Sequence, residues 1–296
     1  MTDLVVVGHI AIDTVIIAEG SRTQLGGPPT YVSLVARKLG LDIGVITKVG
    51  GDMPSSFRGQ LQEMGIDLRG QIMEGATTTR FTLDYRGAER HLSIDSICEE
   101  IRPEDVHDPP EAVLIAPIVG EVPPTTSSSL AEARFIALDP QGFVREVRRN
   151  GAVWPKRWLD QDLLRRVTVY KSSGEELELV TNEISPLLGL RKILDLGAEV
   201  AIATIGGQGA LMLTKDGGFR IPVHGVAVVL DPTGAGDAFM GGFLSEYLNG
   251  EEALWCAAMG AAVSSCVIET RGAVIDASNR EVRRRAENLY EGVTRL

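Results

Sequence analysis

Short apolar runs, rich in β-branched residues and without polar alternation, recur at 4–7, 43–49, 112–115, 135–138, 167–170 and 200–205. Runs of this kind predict strands buried on both faces, as in a parallel sheet covered by helices. Between them apolar residues fall at helical spacing, first Tyr31, Val32, Leu34, Val35 and Leu39, then Phe57, Leu61 and Met64. Pro28 and Pro29 at the start and Gly40 past the end punctuate the first of these helices; Ser185-Pro186 and Gly197 do the same for another over 186–196. An alanine-rich helix is expected over 252–266 and a charged amphipathic one over 279–290. Strands and helices in this alternation predict an α/β fold with a mostly parallel central sheet.

One region departs from that rhythm. Polar and apolar residues alternate over 77–85 and 90–94, around a turn at 86–89. This predicts an antiparallel hairpin with one apolar face, and 14–18 is β-prone beside it. Amphipathic strands inserted among buried ones suggest a second, smaller sheet, serving as a lid over a site or as a dimer surface. The expected division is a main α/β domain at 1–12, 26–75 and 96–296 and a small lid at 13–25 and 76–95.

Composition narrows the function classes. The 296 residues are 44% hydrophobic and 23% charged, an ordinary globular balance, and the formal net charge of −11 disfavours a nucleic-acid partner. Basic clusters such as Arg145, Arg148 and Arg149, or Arg165 and Arg166, read as solvated helix faces. Cys98, Cys256 and Cys266 are scattered, without the spacing of a disulfide framework or a zinc site, which fits a reducing cytoplasm. Neither a signal peptide nor a membrane span is expected. The chain lacks a G-x-x-x-x-G-K-[ST] loop, a strand-linked G-x-G-x-x-G and a G-x-S-x-G elbow.

What stands out is a series of glycine turns and acids at the expected strand ends. The densest is Leu230-Asp231-Pro232-Thr233-Gly234-Ala235-Gly236-Asp237, between an apolar run at 226–230 and the helical pattern Phe239, Phe243, Leu244, Tyr247 and Leu248. It reads as strand, tight turn, helix. Unpaired amides in the first turn of a helix favour an anion. Asp237 at that point is either a dipole-favoured cap or a carboxylate that handles a proton. Asp13, Gly26-Gly27, Asp139-Pro140-Gln141-Gly142, Lys171-Ser172-Ser173-Gly174-Glu175-Glu176 and Gly206-Gly207-Gln208-Gly209 are the other turns.

In that order, and over nearly the whole chain, these motifs resemble the ribokinase-like (PfkB) carbohydrate kinases. Thr30-Tyr31 stands where many members have Asn, Ser173-Gly174-Glu175-Glu176 keeps the acid of an Asn-x-x-Glu motif and loses its amide, and Pro232 replaces a common Thr. With the 139–145 segment, these departures are closer to the inositol-kinase branch. The resemblance implies a three-layer sandwich with a small β-sheet lid, often a dimer contact, so a homodimer through the Phe81, Leu83 and Leu92 face is expected.

The resemblance also implies transfer of the γ-phosphoryl group of ATP to a hydroxyl of a sugar or polyol. Asp237 would be the general base, and the amides of Gly234, Ala235 and Gly236 the anion hole. Asp13, Gly26, Gly27, Tyr31, Asp139, Gln141 and Arg145 would bind the acceptor. Lys171, Ser173, Thr204, Gly206 and Gly209 would line the nucleotide, with Glu176 near Mg²⁺. Carboxylates at the acceptor suit an uncharged polyhydroxyl compound. A phosphosugar would need cations, for which Arg80, Arg86, Arg90 and Arg145 are the candidates. A nucleoside kinase and a non-catalytic sugar- or nucleotide-binding protein are the alternatives.

Overall fold

The computed structural model describes residues 2–18, 20–87, 91–106 and 110–296. A nine-stranded sheet forms its centre, running in the order Thr294–Arg295, Gly217–Ile221, Ala210–Thr214, Val200–Thr204, Val169–Ser173, Phe135–Leu138, Ala112–Ile115, Leu4–Val7 and Ile43–Ile46. The six strands from Val200–Thr204 to Ile43–Ile46 are parallel, and the other three are added antiparallel. Successive residues of a strand point to opposite faces, so each apolar run feeds two cores. Val7, Ile115, Ile136 and Ala201 pack beneath the helices Gly174–Thr181 and Pro186–Leu196, through Leu177, Val180, Leu190 and Ile193. Val6, Leu114, Ala137 and Ile202 pack on the other face beneath Pro28–Leu39, Ala235–Tyr247 and Ala253–Ile268, through Val32, Phe239, Phe243 and Ala257. The result is the three-layer α/β sandwich that the resemblance implied, built on the mostly parallel sheet expected from the alternation.

A separate four-stranded sheet has the order Gly20–Gly26, Ala11–Ile17, Thr79–Asp84, His91–Ser96. The expected hairpin pairs Thr79–Asp84 with His91–Ser96 antiparallel; part of its turn, including Arg90, lies outside the described residues. Ala11, Val15, Phe81, Leu83 and Ile94 form its apolar face. That face is packed within the chain, against Ile118 and Val119 and against Val147 and Val153 of the two-stranded hairpin Arg145–Val147 and Val153–Pro155. Ile94 N–H donates to Gly151 O at 2.8 Å and fixes the contact. Phe81 and Leu83, expected on a dimer surface, are 5% and 4% exposed.

Three local expectations fail. The run at 226–230 is irregular, and Val228, Val229 and Leu230 are 60%, 53% and 46% exposed. The preceding strand ends at Ile221, and Pro222 brings no amide hydrogen to continue the ladder. The chain then travels outside the sheet to Asp231, tied where Leu230 N–H and Asp231 N–H meet Ile268 O at 2.8 and 3.3 Å. The run at 43–49 divides, with Ile43–Ile46 in the central sheet and Val49–Gly50 paired to Ile72–Met73. Arg145 begins a strand instead of sitting on a helix.

Candidate active site

The helix Ala235–Tyr247 starts at Gly234, whose φ of 78° is left-handed and open to glycine at little cost. A Cβ on Gly234 would stand 2.4 Å from the Tyr31 ring, so the turn lies directly on that ring. Asp237 is in the helix's first turn and is 8% exposed. Burial, with Asp139 and Glu176 adding to it against Lys171 and Arg145, pushes its carboxyl up to about 7. A carboxylate with that value is poised to accept a proton near neutrality.

Lys171, the third residue of Val169–Ser173, supplies the cation. Its Nζ donates to Asp139 Oδ2 at 2.7 Å, and both side chains are buried, 4% and 2% exposed. Burial opposes the ammonium, but Asp139, Asp237 and Glu176 outweigh it and hold Lys171 above its ordinary value. A Cβ on Gly236 would lie 2.7 Å from that Nζ, so the glycine lets the ammonium reach the first amides of the helix. Asp139 also accepts from Gln141 N–H at 3.2 Å, at the C-terminal end of Phe135–Leu138. Ala235 N–H donates to Pro232 O over a long 3.3 Å, a bond that an arriving anion can replace.

Tyr31 is fully buried, and its hydroxyl finds no hydrogen-bond partner among the described residues. Burial and the nearby Asp13, Asp231 and Asp237 raise its phenol well above the ordinary value. Asp13, 5% exposed, lies against Gly26, where a Cβ would meet its Oδ2 at 2.1 Å. Arg145 donates through Nη1 to Ile118 O at 2.9 Å and acts electrostatically on Asp237. Thr233 Oγ1, beside the Asp231 carboxylate, and Ser172 Oγ, beside Tyr170, are buried at the turn and next to Lys171 in sequence.

The other expected residues are held by local structure. Ser173 caps Gly174–Thr181: its Oγ accepts from Glu176 N–H at 3.2 Å, while Glu176 Oε2 accepts from Ser173 N–H at 2.8 Å. One oxygen of Glu176 is thus engaged in a capping box, and no group of three acidic, His or Cys side chains suited to a metal occurs among the described residues. Thr204 Oγ1 donates to Ser172 O at 3.4 Å, and Gly209 lies against Ile221, where a Cβ would stand 2.1 Å from the carbonyl oxygen. Arg80 and Arg86, candidates for a phosphosugar, are paired with Asp52 at 2.7 Å and Asp84 at 2.6 Å.

Sequence reasoning passed over Asp231 as a site residue and missed Arg22 and Gln24 altogether. Asp231 Oδ1 accepts from Thr233 N–H at 3.0 Å, and its Oδ2 accepts from Arg22 Nη2 at 2.8 Å and Gln24 Nε2 at 2.9 Å. The alternation of Ser21, Arg22, Thr23 and Gln24 looks like any solvated strand, so only the fold reveals the contact.

The pfkB family carbohydrate kinase model matches residues 1–280. A cytidine kinase of Thermococcus kodakarensis is 29% identical over 272 residues, covering 88% of this chain and 94% of that protein. An inositol 3-kinase of Oryza sativa subsp. japonica is 29% identical over 295 residues, 90% of this chain and 69% of that protein. A solved pyrophosphate-dependent kinase of the ribokinase family, bound to a pyrophosphate analog and myo-inositol, superposes with a TM-score of 0.80 at 21% identity, covering 95% of this chain and 99% of that one. That last match corrects the expected donor. A kinase with this fold over nearly its whole length uses pyrophosphate, so the resemblance does not carry ATP with it, and the expectation of ATP-dependent transfer falls. The match over 1–280 stands regardless of the donor, and the chain belongs to the pfkB family of carbohydrate kinases.

Proposed function

We propose that this kinase transfers a phosphoryl group from pyrophosphate to one hydroxyl of a small uncharged polyol of the myo-inositol kind. The observation that carries this reading is the buried set Asp237, Lys171 and Asp139 at the start of Ala235–Tyr247. The acceptor hydroxyl gives its proton to Asp237 as its oxygen bonds to phosphorus. The bridging P–O bond of pyrophosphate breaks, and inorganic phosphate leaves with the electron pair. Lys171 and the amides of Gly234, Ala235 and Gly236 face the charge that spreads over the transferred group, where fixed donors in a dry site are most effective.

Pyrophosphate is supported by the donor named for the structural relative, and by a protein-borne ammonium at the anion turn. An uncharged acceptor is supported by Asp13 and Asp139, by the occupation of Arg80 and Arg86 with carboxylates, and by the inositol kinase relative. Asp13, Gly26, Gly27, Tyr31, Gln141 and Arg145 surround it in this reading, beneath the lid formed by 13–25 and 76–95. Three buried, unpaired thiols fit a cytoplasmic setting, and no described helix is long and apolar enough to cross a membrane.

The test incubates the protein with pyrophosphate and myo-inositol and follows phosphorylated polyol and released phosphate, with cytidine as comparison acceptor and ATP as comparison donor. Phosphorylated myo-inositol formed from pyrophosphate is the expected result. Product from ATP alone overturns the donor, and preference for cytidine overturns the acceptor.

A further inference from the structure

Arg22 lies in the edge strand of the lid sheet, 209 residues from the carboxylate it grips. Asp231 opens the turn, is 2% exposed, and accepts from two lid side chains, Arg22 and Gln24, through one oxygen. Arg22 Nε also donates to Gln24 Oε1 at 3.1 Å, which sets the two side chains as a pair. The same Asp231 oxygen accepts from Gly272 N–H at 3.3 Å, and the other oxygen holds Thr233 N–H at 3.0 Å, inside the turn itself. At its far end the Arg22 strand runs into Gly26, against the Asp13 carboxylate. One strand therefore touches both the transfer turn and the expected acceptor side.

Charge and burial say what this contact is for. A carboxylate taken out of water needs several strong donors, and removing a charged one frees the chain around it. Asp231 has its donors from three separate segments, and among the described residues the cation that donates to it comes from the lid. Without Arg22 the carboxylate would rotate toward the remaining partners, and the Thr233 amide would lose a fixed acceptor. Gly234 to Asp237 follow within the next residues.

We infer that Arg22 is a positioning residue for phosphoryl transfer: through Asp231 it holds the anion turn in its working geometry. This rests on the phosphotransferase reading above for its kinetic consequence, and on the turn alone for its structural one.

A cavity of about 800 Å³ reaches Arg22 and Gln24 from outside, lined also by Leu34, Arg37, Phe57 and Gly272. It provides a route for chemical rescue. In Arg22→Ala, hydrogen exchange at the amides of 233–237 is expected to accelerate at least tenfold, with 4–7 and 200–204 unchanged. Methylguanidinium added at millimolar concentration should reverse it, and Arg22→Lys should restore it in part. With pyrophosphate and myo-inositol, kcat should fall at least tenfold while the acceptor KM stays within twofold. Exchange at 233–237 equal to the parent, or faster exchange spread equally to 4–7 and 200–204, overturns the inference. A parent protein that turns over neither substrate sinks the phosphotransferase reading instead, and leaves the exchange result to decide the role of Arg22.

Discussion

Two aspartates bracket one turn, and their environments are opposite. Asp231 is buried among four donors, and the bonds from Thr233, Gln24 and Arg22 overcome burial and hold its carboxyl below the ordinary value. Asp237 is buried, and the cation that acts on it most strongly is committed elsewhere: Lys171 donates to Asp139, and Asp237 rises to about 7. Burial alone does not decide a carboxyl's proton affinity; the donors aimed at it do. The same segment thus contains a charge that fixes geometry and a group left able to take up a proton.

The largest expected separation comes from Asp237→Asn. Removing a general base costs ~10²–10⁴-fold in turnover. The parent's turnover should rise with pH to a plateau above about 7, as Asp237 ionises. Stability moves the other way. Between 3.8 and about 7 the folded chain keeps a proton that the unfolded chain has released, so stability falls as pH rises through that window. Asp237→Asn should therefore melt higher than the parent at pH 8 and equally at pH 3, by calorimetry. A variant that keeps full turnover ends the role of Asp237 as base.

Lys171→Met asks whether the cation belongs to Asp139 or to the donor. Leaving Asp139 buried and unpaired costs about 3–5 kcal/mol in denaturant unfolding. In Lys171→Met/Asp139→Asn that cost should shrink to under about 1.5 kcal/mol, with affinity for pyrophosphate still lost. Affinity retained in the double variant means that the ammonium serves only Asp139.

Asp231→Asn should mirror Asp237→Asn. Losing charge-assisted bonds costs about 2 kcal/mol at pH 7. A lowered carboxyl contributes above its unfolded value and loses that contribution as pH falls through its folded one, so the penalty should vanish in strong acid. An equal penalty at all pH values would place the role of Asp231 in its shape and not its charge. The smallest effect is expected at Tyr31→Phe. Deleting a buried, orphaned hydroxyl should stabilise the fold by about 1 kcal/mol. If that hydroxyl meets the acceptor, KM for myo-inositol rises about fivefold, one hydrogen bond's worth.

The sheet strands at 4–7, 112–115 and 135–138 were legible because both their faces are buried, so every residue reports the environment. The run at 226–230 has the same composition and forms no strand, since composition does not reveal whether a neighbouring strand is free to pair. At the site, the glycines of 234–236 announced themselves by spacing. Arg22 did not: its partner is on the far side of the fold, and a polar residue on an edge strand needs no reason to be there. Lys171 was expected at the nucleotide, and its bond in the structure is to a residue expected at the acceptor, Asp139. That pairing depends on the adjacency of Phe135–Leu138 and Val169–Ser173, which a linear reading does not contain.

The hairpin at 145–155 covers the lid's apolar face from within the chain. Phe81 and Leu83, which a second copy was expected to cover, are thus spent inside the chain, and any contact between copies has to be made by other residues.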